Sequence, residues 1–509
     1  MKTSFLAITL LFNILLFSCQ NSEKQSPTVK VNEPYEPTWT SLRKHKTPQW
    51  LIDAKFGIYT HVTLQTIKNI EGNENKHKHE LIEDFKLENF NAAKWAELFK
   101  RSGAKFAGPV SWHGSGMLHW DSDITNFNTV DMGPGIDLIG ELKKEIVARD
   151  MKLITSFHTG YWYHAAIDLD NPGRKDPAYE DLYGPVHDEN VTDAIPWKNH
   201  IEKQSKFTDE HLEAWLAKMN EAVTKYQPDI SWVDVSFGGT VRAYNKGLYK
   251  NGKLISEDDI YLSGVKESAQ RKYISHFYNT ALNHNKEVEF VYKEYDVPPG
   301  VGMRNFENGL IDQLTYDTWM TDIDMCDPVS WFYKEGMGIK DANLIIDILA
   351  DVTAKNGILL LNVPPKPDGT FADYIVDELN EIGDWLDING DAIYGTMPWT
   401  IYGEGPSKLE KTGHYSEGKR NASYTNQDFR FTQKENKLYA ICLGIPKGEF
   451  TIRSLGSRGR LYKDDIETLK LIGYEGDIVF NQEPMGLKIQ MPESFTGQYA
   501  CVFEIQRRK

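Results

Sequence analysis

The sequence predicts an α/β chain: a (β/α)8 barrel of the TIM type followed by a C-terminal antiparallel β-sandwich. Three observations predict it. From about residue 50, short apolar runs alternate with amphipathic helical stretches, the pattern of a parallel sheet buried on both faces. Seven or eight such units fit within roughly 340 residues, which favours a closed barrel over an open sheet. After about Thr396 helical spacing stops, and short alternating runs separated by turn residues take over.

The elements follow in order. FGIYTHV (56–62) reads as the first strand. Ala92–Arg101 carries Trp95, Leu98 and Phe99 at helical spacing, with Gly103 as its stop. AKFAGPV (104–110) is the second strand. Ile136–Arg149 is a helix with Ile136, Ile139, Leu142 and Ile146 on one face, and KLITSFH (152–158) is the third strand. A helix over Leu212–Tyr226 stops at Pro228, before ISWVDV. Lys266–Asn283 (helix), VEFVYK (288–293, strand), Ala342–Ala354 (helix), GILLLNVPP (357–365, strand) and a helix near Tyr374–Asn389 complete the series. No Gly-rich phosphate loop follows any strand, which weakens a nucleotide-binding reading.

The N-terminus reads as a targeting signal. Lys2 precedes an apolar run from Phe5 to Phe17, too short for a comfortable membrane span. Leu16-Phe17-Ser18-Cys19 resembles a bacterial lipoprotein processing box, with Cys19 as the lipidated first mature residue; an ordinary signal peptide with an incidental cysteine is the alternative. The predicted division is signal 1–19, flexible tether 20–38, barrel 39–395 and sandwich 396–509. The expected location is outside the cytoplasm of a Gram-negative bacterium, in the periplasm or on the outer membrane, with membrane contact only through the lipid anchor. Cys326, Cys442 and Cys501 lie far apart and give neither a disulfide framework nor zinc-type spacing. A net charge of −16 argues against nucleic-acid binding. The 13 tryptophans suit a carbohydrate protein, because flat rings pack on the C–H faces of sugars.

In a barrel, chemistry sits at the C-terminal ends of the strands. Those ends carry His61, His113, His158 and Asp234, then Glu294 and Glu307. Asp234 stands out, because ISWVDVSFGG (230–239) sets a carboxylate in an apolar run, and desolvating a carboxylate is costly unless it is paired. Three His and one Asp could bind a metal ion. No HxH or HExxH pair occurs at these ends, and His77 and His79 fall in a charged segment, so no metal and no cofactor is expected. The other reading is sugar hydrolysis. One ionised carboxylate attacks the anomeric carbon, a second carboxyl protonates the leaving oxygen, and imidazoles and indoles, Trp232 among them, hold the ring.

These segments also resemble the α-L-fucosidases of glycoside hydrolase family 29, over most of 39–395. KFGIYTHVTL (55–64) is similar to the family's KFGIF-x-HWG and places His61 on the sugar-binding histidine. AGPVSWHGSGMLHWDSDITNFN (107–128) resembles AGPV-x-EHHDGF-x-x-WDS. YQPDISWVDVSFGG (226–239) resembles the YxPDLLWFD segment whose aspartate is the nucleophile, so the resemblance gives Asp234 that role. PPGVGMRNFENGLIDQLTYDTWMTD (298–322) resembles PPG…DFERG…PWQTD, which makes Glu307, on a loop, the expected acid/base, with Glu294 as the alternative, and sets Trp319 in the pocket wall. NLIIDILADVTAKNGILLLNVPPKPDGT (343–370) is similar to a block ending KNGNLLLNIGPKxDGT. The family's paired histidines are here His113-Gly114-Ser115-Gly116, preceded by Trp112, a candidate for sugar stacking or for simple packing. The implied function is an exo-acting retaining α-L-glycosidase acting on a glycan or glycoside. The lost histidine leaves L-galactose or L-glucose open beside L-fucose. A glycan-binding surface lipoprotein is the alternative of another class.

Overall fold

The computed structural model describes residues 33–158, 173, 176–183, 209–234, 249–250, 253–254, 265, 267–293, 296–459, 461 and 466–507. Eight parallel strands close into a barrel. They are β1 (Phe56–Thr60), β2 (Phe106–Trp112), β3 (Lys152–Phe157), β4 (Ile230–Val233), β5 (Glu289–Lys293), β6 (Met303–Glu307), β7 (Trp319–Asp324) and β8 (Gly357–Asn362). Each strand pairs with the next in the chain, and β8 returns to β1 with Phe56 opposite Leu359.

The helices outside the barrel are α1 (Ala92–Arg101), α2 (Leu138–Val147), α3 (Asp209–Tyr226), α4 (Glu267–Asn283), α5 (Ala342–Ala354) and α6 (Asp373–Asn389). Three of their starts are written in side chains. Asn91 accepts from Lys94 N–H, Asp137 from Gly140 N–H and Asp341 from Leu344 N–H, each satisfying an orphan donor of a first turn. On α1 the buried face is Trp95, Ala96 and Phe99, as the spacing predicts. Gly103 follows at φ +92, a conformation that side chains resist.

Two of the eight strands carry no apolar run. β6 reads MRNFE and β7 reads WMTDID, so periodicity alone does not find them. Among the described residues no helix connects β5 to β6 or β6 to β7. Glu307, expected on a loop, is the last residue of β6.

Strand alternation then sorts each barrel residue inward or outward. The inward set at the lower end is apolar: Phe106, Ile154, Ile230, Val291, Met303, Met320 and Ile358 form one buried cluster with Tyr59 and Trp232. Trp319, one place before Met320, therefore points outward. It packs on Phe306 beneath the helical layer, and its indole N–H donates to Lys355 O at 3.0 Å. The expectation that it walls the pocket is corrected: it lies at the wrong end of the strand and on the wrong face.

Beyond Thr396 the chain builds a sandwich. One sheet runs in the order β9 (Met397–Glu404), β10 (Phe429–Lys434), β11 (Lys437–Cys442), β16 (Cys501–Arg507), β13 (Ile466–Leu471). The other runs β12 (Glu449–Ile452), β15 (Gly486–Gln490), β14 (Phe480–Glu483). Phe431, Leu438, Ile452, Leu487, Ile489 and Phe503 share the core between them. Cys442 and Cys501, remote in sequence, face each other in register as free thiols.

The tether expected to reach residue 38 ends sooner. Tyr35 is buried against Tyr278, its N–H donates to Asn279, and its carbonyl accepts from Ser275 and Asn279. Cys19 lies outside the described residues. Among the described residues no helix is long and apolar enough to cross a membrane.

The sandwich is bound to the barrel by a buried ion cluster. Arg430 of β10 reaches Asp351 of α5 at 2.5 Å, and Lys355, one turn on, reaches the same carboxylate at 2.7 Å. Burial would push the Asp351 carboxyl up, but the two cations outweigh it and hold it below its ordinary value. Arg430→Ala strands part of that charge and is expected to cost about 3–5 kcal/mol, read as a drop in denaturant midpoint. A loss under about 1 kcal/mol would mean that water reaches Asp351.

Candidate active site

The alternation that makes the barrel floor apolar makes its upper rim polar. Stepping two residues along each inward face, Tyr59 leads to His61, Ile154 to Ser156 and His158, and Trp232 to Asp234. Val291 leads to Lys293, Met303 to Asn305 and Glu307, Met320 to Asp322 and Asp324, and Leu360 to Asn362. On β2 the pairing with β3 slips between Val110 and Trp112. That slip reverses the phase: Trp112 joins the outer core, with Lys218 Nζ 5.7 Å over its ring, and His113 turns to the pocket. Of the two readings of Trp112, packing and not sugar stacking is what the structure shows.

The structure brings His61, His113, His158, Trp232, Asp234 and Glu307 together. Asp234 is buried and doubly held. His158 Nδ1 lies 2.7 Å from its Oδ2, and Lys293 Nζ lies 3.0 Å from its Oδ1. Lys293 also donates to Asp322 at 2.9 Å and to Asn305 Oδ1 at 3.0 Å, and stands 3.7 Å from Glu307 Oε2. Burial would push the lysine down, but Asp234, Asp322 and Glu307 prevail and raise it, so it stays charged. Burial pushes the Asp322 carboxyl well up, Lys293 opposes this, and the neighbouring carboxyls add to the rise. Three carboxyl groups thus face one ammonium, and like charges at that range oppose one another's ionisation.

The three imidazoles crowd together, with ring centroids 4.6 Å (His113–His158), 5.2 Å (His61–His158) and 5.8 Å (His61–His113) apart. His61 Nδ1 is 2.8 Å from Asn362 Oδ1, and the Asn362 amide donates to Asp324 and to Trp331 O. Burial lowers His61 to about 3 and His113 well below its ordinary value, so both are neutral. His61 Nε2, His158 Nε2 and Trp232 Nε1 are buried with no hydrogen-bond partner among the described residues. They are the donors and acceptors a bound polyol would satisfy. One donor atom from each histidine lies within 4.8 Å of the others, so the same cluster could also hold a metal ion. His77 and His79 do not join it: His79 Nδ1 sits 2.8 Å from Tyr183 Oη.

Several site residues escaped sequence reasoning. Lys293 could have been found by stepping two residues from Val291. Tyr415 and His414 could not. They come from the connection between β9 and β10, where Tyr415 Oη donates to Glu307 Oε1 at 2.7 Å and Glu307 N–H donates to His414 Nδ1 at 2.9 Å. Glu294 lies outside the described residues.

A family model described as Alpha-L-fucosidase matches residues 22–391. An α-L-fucosidase of Branchiostoma floridae is 24% identical over 505 residues, covering 92% of this chain and 94% of its own. One of Dictyostelium discoideum is 28% identical over 406 residues, covering 73% and 76%. Among solved structures, a Thermotoga maritima α-fucosidase in complex with fucose matches in fold with a TM-score of 0.66 at 23% identity, covering 92% of this chain and 100% of that one.

The neutral histidines set a pH dependence. In the unfolded chain an imidazole takes its proton near pH 6.5, while native His61 and His113 refuse it. Below about pH 6.5 the unfolded state binds more protons, so stability falls with falling pH. His113→Gln is expected to reduce the stability lost between pH 7 and pH 5 by about 2 kcal/mol in urea unfolding. An unchanged loss would mean that the native imidazole is protonated.

Proposed function

The chain belongs to the α-L-fucosidase family of glycoside hydrolases, and on that premise we propose that it is an exo-acting retaining enzyme that removes a terminal α-L-sugar, L-fucose or a close L-hexose, from glycans. The observation that carries this reading is Asp234: a buried carboxylate, oriented by His158 and Lys293, opening on a pocket of unpartnered ring nitrogens. In the proposed reaction an Asp234 oxygen forms a bond to C1 as the glycosidic bond breaks. Glu307 gives its proton to the departing oxygen. Water, deprotonated by Glu307, then releases the sugar from Asp234, and both side chains return to their starting states. Lys293 touches both carboxyl groups, which supports the close spacing of roughly 5 Å that a retaining pair needs. Trp232 and the neutral histidines hold the ring hydroxyls. Tyr415 aims Glu307.

Asp234→Asn is expected to lower turnover of nitrophenyl α-L-fucoside at least about 10³-fold while sugar binding survives. A mechanism-based fluorosugar should leave its adduct on Asp234. Indifference of both turnover and binding would favour a glycan-binding lipoprotein instead. Comparing the α-L-fucoside, α-L-galactoside and α-L-glucoside separates the candidate sugars, and a clear fucoside preference excludes the shifted ones. Lys293→Met takes away the ammonium that favours ionised carboxylates. The acidic limb of kcat/KM against pH should therefore move up by about one to three units, and an unmoved limb would remove Lys293 from the mechanism.

A further inference from the structure

His61, His113 and His158 stand just past the ends of β1, β2 and β3, and no two of them share a short motif. Barrel closure does what spacing along the chain does not: one ring nitrogen from each lies within 4.8 Å of the other two. Nitrogens around a tetrahedral zinc-type ion stand about 3.3 Å apart, so small ring rotations complete the set. Two of the rings are already held from behind. The Asn362 amide nitrogen donates to Asp324 and to Trp331 O, so its Oδ1 is the atom that faces His61. His61 Nδ1–H donates to that oxygen at 2.8 Å, and His158 Nδ1–H donates to the Asp234 carboxylate at 2.7 Å. A neutral imidazole with its proton on Nδ1 presents Nε2 as a bare lone pair. Both Nε2 atoms are buried, with no hydrogen-bond partner among the described residues. A ring fixed at one nitrogen by an amide oxygen or a carboxylate, and open at the other, is how proteins prepare a histidine for a metal. Lys293 Nζ is the cation that opposes such an ion, and it already faces Asp234, Asp322 and Glu307.

We propose that His61, His113 and His158 form a site for one divalent transition-metal ion of the zinc class, and that this ion and the sugar exclude each other, so that the metal reversibly inhibits the enzyme. Binding needs only the three rings; inhibition rests on the glycosidase reading of the same pocket. The ion takes the nitrogen lone pairs that otherwise meet sugar hydroxyls. Imidazole ligands favour zinc, copper and nickel, whereas magnesium and calcium prefer oxygen.

The test titrates zinc chloride into the full, chelator-treated chain by calorimetry, then repeats the titration with magnesium and with an excess of L-fucose, L-galactose or L-glucose. One zinc per chain should bind with a Kd of about 100 µM or tighter, and magnesium should not bind. A sugar that occupies the pocket should weaken zinc about tenfold or more. In the turnover of nitrophenyl α-L-fucoside, zinc should raise KM and leave kcat unchanged, and a chelator should restore the rate. His113→Gln should weaken zinc about tenfold or more, while His77→Gln/His79→Gln, outside the cluster, should leave its affinity unchanged. Zinc binding weaker than about 100 µM, equal binding of magnesium, or an affinity that survives His113→Gln overturns the site. A sugar that binds without weakening zinc overturns the exclusion, and that measurement on the unaltered chain stands even if the variant fails to fold. If no sugar binds and no fucoside is turned over, the function reading fails separately, and the zinc titrations still decide the site.

Discussion

A single ammonium group organises the mouth of this barrel. Lys293 Nζ touches Asp234 and Asp322, stands beside Glu307, and sits 4.8 Å over the Trp232 ring. Without it, three acidic side chains would share a dry cavity, and like charges at such range cannot all ionise. With it, Asp234 and Asp322 each have a cation within ion-pair distance. The same contact fixes distance. One donor reaching three strands pins the rim of β4 to the rims of β6 and β7, and so sets the gap across which the proposed nucleophile and acid must cooperate. A lysine suits this role because its point charge can face several partners at once, where a planar guanidinium would commit to one.

The fold was legible wherever a strand or helix has one job. α1 and α5 carry unbroken helical spacing, and their limits match the structure residue for residue. β6 and β7 were illegible for a physical reason: their inward positions hold Asn305, Glu307, Asp322 and Asp324 instead of aliphatic side chains, so the apolar signal is missing where the site is built. At the site, His61, His158 and Asp234 could be read because each ends a recognisable strand. Trp112 could not be placed, because a slip in pairing between β2 and β3 reverses which face each residue presents, and no residue type announces such a slip. Trp319 misled because resemblance to a motif locates a residue along the chain but not on a face of the strand.

The C-terminal sandwich does more than brace. The connection between β9 and β10 bridges back to the barrel, with Gly413 paired to Leu310 and Ser416 N–H donating to Asn308 O. That bridge delivers His414 and Tyr415 to Glu307 from more than a hundred residues away in sequence. Burial holds His414 down at about 4, which keeps its Nδ1 an acceptor for the Glu307 backbone N–H. Arg430, on β10, meets Asp351 of α5, which Lys355 also holds, and so ties the same sheet to that helix. Alignment of a catalytic-type carboxyl and cohesion of the two sheets with the barrel are thus parts of one construction.

Burial also sets the protonation state of the histidines at the barrel mouth. His61 and His113 are enclosed by each other, by His158 and by Phe332, and desolvation is the largest influence on both, so they shed their protons. A neutral imidazole offers one donor and one acceptor, which matches a hydroxyl, itself both donor and acceptor.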